Sequence, residues 1–246
     1  MSEYDRWGVP SAIPFGVNLP RTPAEMTKQD IDRVKADFVA SAKRAVEAGF
    51  KWLELHFAHG YLAQSFWSPV ANQREDEYGG NAENRGRFLL ETLQAVREVW
   101  PQNLPLTIRF GVVEYDGSDD TLFPESIELI KQFKANGADF ISVSIGFNTP
   151  EARIPWGPAF LAPVAERVRR EAGVPVATAW GVDTPALANG TVEKEQLDLV
   201  MIGRAHLSNP HWSYMAAKAL GEEKPSWVLP ASYAHWLERY ATAETE

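Results

Sequence analysis

Five times along this chain a short, unbroken apolar run is followed by a stretch with helical periodicity. The runs are KWLELHF (51–57), PLTIRFG (105–111), ADFISVSIG (138–146), VPVATAWG (174–181) and LDLVMIGR (197–204). Strands apolar on both faces must be covered on both faces, as in a parallel sheet. Parallel neighbours need a crossover, and helices are predicted at Phe88–Trp100, Pro124–Asn136, Ala159–Ala172, 184–195 and Pro210–Leu220. Pro101, Gly137, Gly173 and Gly221 stand where four of them should stop, while Gly190 weakens the helix at 184–195. The alternation restricts the fold to a barrel or an open doubly wound sheet. Neither a G-x-G-x-x-G nor a P-loop pattern follows any strand, which disfavours dinucleotide and P-loop architectures.

A helix precedes the first strand. Thr27 and Asp30 are spaced as an approximate capping box, Ile31, Val34, Phe38, Ala42 and Val46 share one face, and Gly49 closes it. Before it, Pro10, Pro14, Pro20 and Pro23 predict an irregular lead-in over residues 1–27. Residues 222–246 are expected as a tail, helical over Tyr233–Tyr240, and the whole of 1–246 as one unit. Five βα units do not close a barrel of eight.

Charge and composition exclude several roles. With 24 basic and 33 acidic residues and no basic run, the chain is a poor partner for nucleic acid. No cysteine is present, so disulfides, thiolate metal sites and a thiol nucleophile are absent and a cytoplasmic setting is expected. Neither a leader pattern nor an apolar run of about 18 residues is visible, so no membrane association is expected.

In parallel α/β proteins the chemistry lies at the C-terminal ends of the strands. The first strand delivers His56, then His59 and Tyr61. Two imidazoles on one oxygen would stabilise negative charge there, and a phenol beside them can deliver a proton. The competing structural reading is one satisfied core histidine and a packed tyrosine. A metal is a further alternative, with Glu54 as a third ligand, but no other ligand stands at a matching strand end. Arg109 in an apolar strand needs an anion, an electron-rich ring or a structural pair with Glu54. Ala179, Trp180 and Gly181 follow the fourth strand; Gly203 and Arg204 follow the fifth, where barrels usually grip phosphate. Trp180 and Trp236 are candidate walls for a flat ligand, and the other seven tryptophans are read as packing.

HFAHGYLAQSFWSPVANQREDEYGGNAENRGRFLLE resembles the signature region of Old Yellow Enzyme-type flavin oxidoreductases. TIRFGVVEYDG, RIPWGPAF, ATAWG, DLVMIGRAHL and YAHWLERY look like the bacterial xenobiotic reductases of that family. Asn81 stands where the family usually has Ser, and either residue caps a helix. The resemblance implies a partial (β/α)8 TIM barrel, strands four to eight with their helices, binding FMN and using NADPH or NADH. It implies reduction of small molecules with an activated alkene. His56 and His59 would hold the substrate carbonyl oxygen and Tyr61 would be the proton donor. Arg109 would face the flavin ring, Gly203 and Arg204 its phosphate, and Trp180 and Trp236 would shape the pocket. The family's first three βα units have no counterpart here, so a homodimer or a partner chain is expected to supply the missing strands. The alternatives are a non-catalytic half-barrel remnant or assembly module, and a metal-dependent barrel lyase or hydrolase.

Overall fold

The computed structural model describes residues 8–16 and 22–240. Its centre is a five-stranded sheet of β3 (Leu53–Phe57), β4 (Leu106–Val113), β5 (Phe140–Ile145), β6 (Val176–Thr178) and β7 (Leu199–Val200). All neighbours are parallel and the spatial order follows the chain order. A doubly wound sheet reverses its strand order at a switch point, whereas a barrel does not. Unreversed order therefore makes this an arc of a (β/α)8 barrel, as the motifs implied. Each crossover carries a helix: α3 (Ala82–Val99), α4 (Asp119–Ala135), α5 (Ala162–Ala172) and α6 (Pro185–Glu193).

The register explains how the two faces differ. Leu55, Ile108, Ile141 and Val176 form one row across the sheet, each at most 4% exposed. In the same orientation Phe57 and Phe110 both meet Phe133 of α4, at ring distances of 6.2 and 5.4 Å. Trp67 covers Phe110 from α2 (Leu62–Trp67), and Phe38 meets Phe57 from α1 (Lys28–Glu47). Burying one large side chain of this kind contributes about 1.5–3 kcal/mol, so this helix-facing layer carries the fold. The alternate row, His56, Arg109, Ser142, Ala177 and Leu199, turns to the inner face of the arc. There Leu199 is 48% exposed.

Several boundaries differ from expectation. The capping box at α1 forms, with Asp30 N–H donating to Thr27 Oγ1 at 3.2 Å and Thr27 N–H to Asp30 Oδ2 at 3.0 Å. The lead-in is not wholly irregular, since β1 (Gly8–Val9) pairs in parallel with β2 (Ala24–Glu25). Proline there excludes helix but leaves extended backbone open. The stretch after Tyr61, for which no helix is predicted, folds into α2, whose aromatic residues are buried rather than periodic. α3 starts at Ala82, capped by Asn81, and α4 starts at Asp119, with Pro124 inside it. α5 starts at Ala162, three residues late. Arg204 opens a short helix, α7 (Arg204–Ser208), instead of ending a strand. After α8 (Trp212–Ala219), a 3-10 turn (Pro225–Val228) and α9 (Ala231–Leu237) close the described chain, so the tail helix starts two residues earlier than expected. Residues 241–246 of the expected tail and residues 1–7 and 17–21 of the lead-in lie outside the described residues. No described helix is long and apolar enough to cross a membrane.

Candidate active site

β3 ends in the chemistry-bearing segment because its backbone turns sharply after Phe57. His59 adopts φ 64° and Gly60 φ 68°, the left-handed region. At Gly60 a Cβ would collide with the carbonyl oxygen of Phe147, so glycine allows the turn to rest on the loop after β5. His59 N–H donates to Ile145 O at 3.2 Å, fixing the same contact.

This turn brings the two histidines together. Their ring centroids lie 4.9 Å apart with the planes at 70°, and the Tyr61 ring lies 5.5 Å from His56. Tyr61 is 64% exposed, so its phenol is open to the inner face rather than packed in the core. His59 Nε2 is 2.7 Å from Ser144 Oγ, and Trp180 Nε1–H donates to the same oxygen at 3.1 Å. With one lone pair taken by Trp180, the serine keeps its proton and a second lone pair for His59 Nε2, so Ser144 anchors the ring in either tautomer. Burial, then Arg109, push the His56 pKa below its ordinary value. Burial, then Arg109 and His56, take His59 down to about 4. Both rings are therefore neutral at pH 7, each with one N–H to donate.

Arg109 sits beside His56 in register on β4. Its guanidinium makes no ion pair with Glu54 among the described residues, and its Nε is buried without a hydrogen-bond partner. Burial lowers its pKa, opposed by the charge of Glu54, whose carboxyl burial raises. The Thr178 hydroxyl at the end of β6 is likewise buried without a partner. Buried polar groups are nearly always satisfied, and a bound ligand is one way in which these two would be. Gly203 precedes α7 with open space where a Cβ would stand, and Arg204 beside it is exposed. Ala179, Trp180 and Gly181 lie between them and His59, at the end of β6.

An aromatic cluster covers His59 that motif spacing did not reveal. Phe147 and Trp180 lie 5.8 and 5.9 Å from its ring, and Trp156 lies 5.5 Å from Trp180. Phe160 completes it, 5.4 Å from Trp156. Trp156 is 61% exposed, and Trp52 and Trp227 are exposed as well, which corrects their reading as packing; Trp67 and Trp100 are packed as expected, and Trp7 lies outside the described residues. Trp156 sits in RIPWGPAF, a loop with no periodicity, so only its position after β5 could have marked it. Trp236 is 73% exposed on α9, with its ring 5.3 Å from His235 and no ring contact to the cluster. Among the described residues no three His, Cys, Asp or Glu side chains come together, so a metal finds no third ligand beside His56 and His59.

The chain is similar to known proteins in sequence and in fold. A sequence profile described as the NADH:flavin oxidoreductase / NADH oxidase family matches residues 5–223. The NADPH dehydrogenase of Geobacillus thermodenitrificans is 44% identical over 212 residues, 86% of this chain and 61% of that protein. That of Bacillus velezensis is 40% identical over 218 residues, 88% of this chain and 63% of that protein. Among solved structures, a 2-naphthoyl-CoA reductase in complex with 2-naphthoyl-CoA superposes with a TM-score of 0.77 at 26% identity, covering 89% of this chain and 33% of that one. An old yellow enzyme homologue from Zymomonas mobilis shares the fold, with a TM-score of 0.68 at 23% identity over 82% of this chain and 58% of that one. The chain thus spans 61% and 63% of the length of these two NADPH dehydrogenase relatives.

Proposed function

Since the chain belongs to the NADH:flavin oxidoreductase / NADH oxidase family, the Old Yellow Enzyme group, we propose that it is an FMN-dependent NAD(P)H oxidoreductase reducing activated C=C bonds of small molecules. The observation that carries this reading is the pair of neutral imidazoles, His56 and His59, beside an arginine whose Nε has no partner.

The residues present suit FMN. Arg109 offers an unpaired donor on the inner face, fit for the electron-rich edge of the ring. Ala179, Trp180 and Gly181 would line the ring, and Gly203 with Arg204 would hold the phosphate, the glycine by leaving its backbone accessible. FMN held there would supply the two-electron hydride chemistry between NAD(P)H and the β-carbon of the substrate. His56 and His59 hold the carbonyl oxygen and stabilise the charge that develops on it. Losing one such donor costs roughly 10²–10³ in turnover. Tyr61 delivers the proton to the α-carbon. Trp180 orients the substrate while its indole N–H holds Ser144 for His59. Trp236 would act only by reaching the pocket from α9 or across a dimer. Strands from a second polypeptide, a homodimer partner or a separate chain, would pair with the open edges at β3 and β7 and complete the cradle.

The test is a flavin titration followed by absorbance. FMN is added to this chain alone, and to this chain mixed with the part of a NADPH dehydrogenase relative that lies outside the matched region. A 1:1 yellow complex in either case, weakened at least tenfold by Arg109→Leu, is the expected result. Formation with this chain alone removes the need for further strands. No complex in either case overturns the flavin reading and leaves the half-barrel assembly module in its place.

A further inference from the structure

One buried acid has no part in this chemistry. Glu114 follows β4 and is 2% exposed. Its Oε2 accepts the backbone N–H of Asn148 at 3.1 Å, and its Oε1 accepts the Asn148 side-chain amide at 2.6 Å. Gln64 of α2 reaches the same Oε1 at 3.5 Å and is itself locked to Gly111, donating to its carbonyl and accepting its N–H, both at 3.1 Å. The carboxylate lies so close to Gly146 that a Cβ there would overlap it.

Between Gly146 and Asn148 stands Phe147, at φ 57°. A non-glycine residue in that region is strained and persists only where its surroundings impose it. Glu114 imposes it from both flanks, closing on Gly146 on one side and holding both Asn148 amides on the other. The Phe147 carbonyl supports Gly60, and its ring lies 5.8 Å from His59. From this geometry we infer that Glu114 is a positioning residue: it clamps the Gly146–Asn148 turn that sets the place of the His59 ring. It touches neither imidazole and acts through the Phe147 turn.

The ionisation of Glu114 gives this clamp a signature. Burial holds its pKa up at about 7, against the bonds from Asn148, and the charges of Asp116 and Asp119 raise it further. Asp116 lies on the turn before α4 and Asp119 opens that helix, while the groups facing Glu114 from α2 and from the β5–α5 connection, Gln64 and Asn148, are neutral. Protonation near pH 7 changes what Glu114 offers Asn148, since a carboxylate only accepts and a carboxyl also donates. His59 titrates far lower, at about 4, so its ring keeps one charge state while the clamp switches.

The inference takes from the preceding reading only the importance of His59, and its test needs neither flavin nor turnover. The full chain, labelled with ¹⁵N-histidine, is titrated by NMR from pH 6 to 9, with His59→Asn identifying the His59 ring signals. The expected result is a shift of these signals with a midpoint near 7, absent in Glu114→Gln. That variant keeps the size of the side chain but cannot ionise. Asn148→Ala, which leaves Glu114 in place, should at least halve the shift and decides the matter if Glu114→Gln does not fold. A flat His59 signal in the unmodified chain, or a shift that survives in the variants, overturns the inference. Either result leaves the flavin titration untouched, so the two readings fail separately.

Discussion

Two neighbouring rows of the same sheet obey opposite rules. Leu55, Ile108, Ile141 and Val176 are at most 4% exposed and lie under helices. One residue further along each strand, His56, Arg109, Ser142 and Ala177 occupy the next row across the same strands. Side chains alternate along a strand, so one residue of register separates core from chemistry. The helix-facing row can be apolar throughout because it is sealed. The inner row holds an imidazole, a guanidinium with an unpaired Nε and a serine, which the core would not tolerate without partners. The fold is stabilised on one side of the sheet so that the other side is free to hold polar groups.

The comparison breaks most visibly in the core. Phe110→Ala removes a fully buried ring that packs on Trp67 and Phe133, and should lower stability by about 3–5 kcal/mol. Ser142→Ala, also buried and on the paired strand but on the inner row, should stay within about 1 kcal/mol of the unmodified chain. Urea denaturation at pH 7 measures both. Equal losses would mean that the two rows are not energetically distinct.

The next effect is smaller and depends on pH. The pKa of Glu114 in the folded chain is about 7, against 4.5 for the free side chain. The folded state therefore binds this proton more tightly than the unfolded state. Its contribution to stability is present in full below pH 4.5 and is lost as pH rises through 7. Glu114→Gln should be more stable than the unmodified chain at pH 8, by up to about 3 kcal/mol, with the gain shrinking toward pH 4. Urea curves at the two pH values test this. A variant that is destabilised equally at both would show that the hydrogen bonds to Asn148 outweigh the buried charge. A positioning acid that lowers stability where it is ionised illustrates the usual opposition between a preorganised site and a relaxed fold.

How much of this could be read in the sequence follows from the same two rows. The helix-facing row is visible because burial forces a pattern: IRFG, ISVSIG and VPVAT are apolar whatever they do later. The order βαβ, the capping box at Thr27 and the stop at Gly173 are local rules and appear where they were expected. His56, His59 and Arg109 were legible because polar residues interrupt an apolar run. Phe147, Trp156, Phe160 and Glu114 were not, because an aromatic residue or an acid in a loop breaks no pattern. Their part in the site comes from left-handed turns at His59 and Phe147, which place distant loops in contact. α2 was missed for the related reason that all its aromatics are buried, leaving no periodic polar face.

Beside the inner row, in the turn after β3, the His59 titration runs opposite to that of Glu114. The pKa of His59 falls from 6.5 to about 4 on folding, chiefly through burial and then through Arg109. The neutral ring is favoured in the folded chain, so stability is full above pH 6.5 and is lost as pH falls toward 4. The shift corresponds nominally to about 3 kcal/mol, but the half-buried ring is screened by solvent, and about 1 kcal/mol is expected. His59→Asn cannot charge and should lose about that much less between pH 6.5 and pH 4.5. Identical acid sensitivity in the two chains would show that the ring is not held neutral by its surroundings.

Arg109 gives the smallest expected change in stability and the sharpest contrast with Phe110, its chain neighbour on the other face. Replacing a poorly partnered buried cation by a residue of similar size is often neutral or stabilising, because desolvation offsets its attractions. Here Arg109→Met removes an unpaired Nε but also removes the positive charge that holds the Glu54 carboxyl down against burial. These effects oppose each other, so the net change at pH 7 should lie within about 1 kcal/mol of zero. Loss of the cation leaves Glu54 more readily protonated, so the variant should compare best with the unmodified chain at low pH and worst above neutrality. FMN binding should meanwhile weaken by an order of magnitude or more, as charge-assisted hydrogen bonds are lost. Side by side, Phe110→Ala should damage the fold, while Arg109→Met should leave it standing and empty the site. A large loss of stability in Arg109→Met would place Arg109 with the core and remove the division between the two rows.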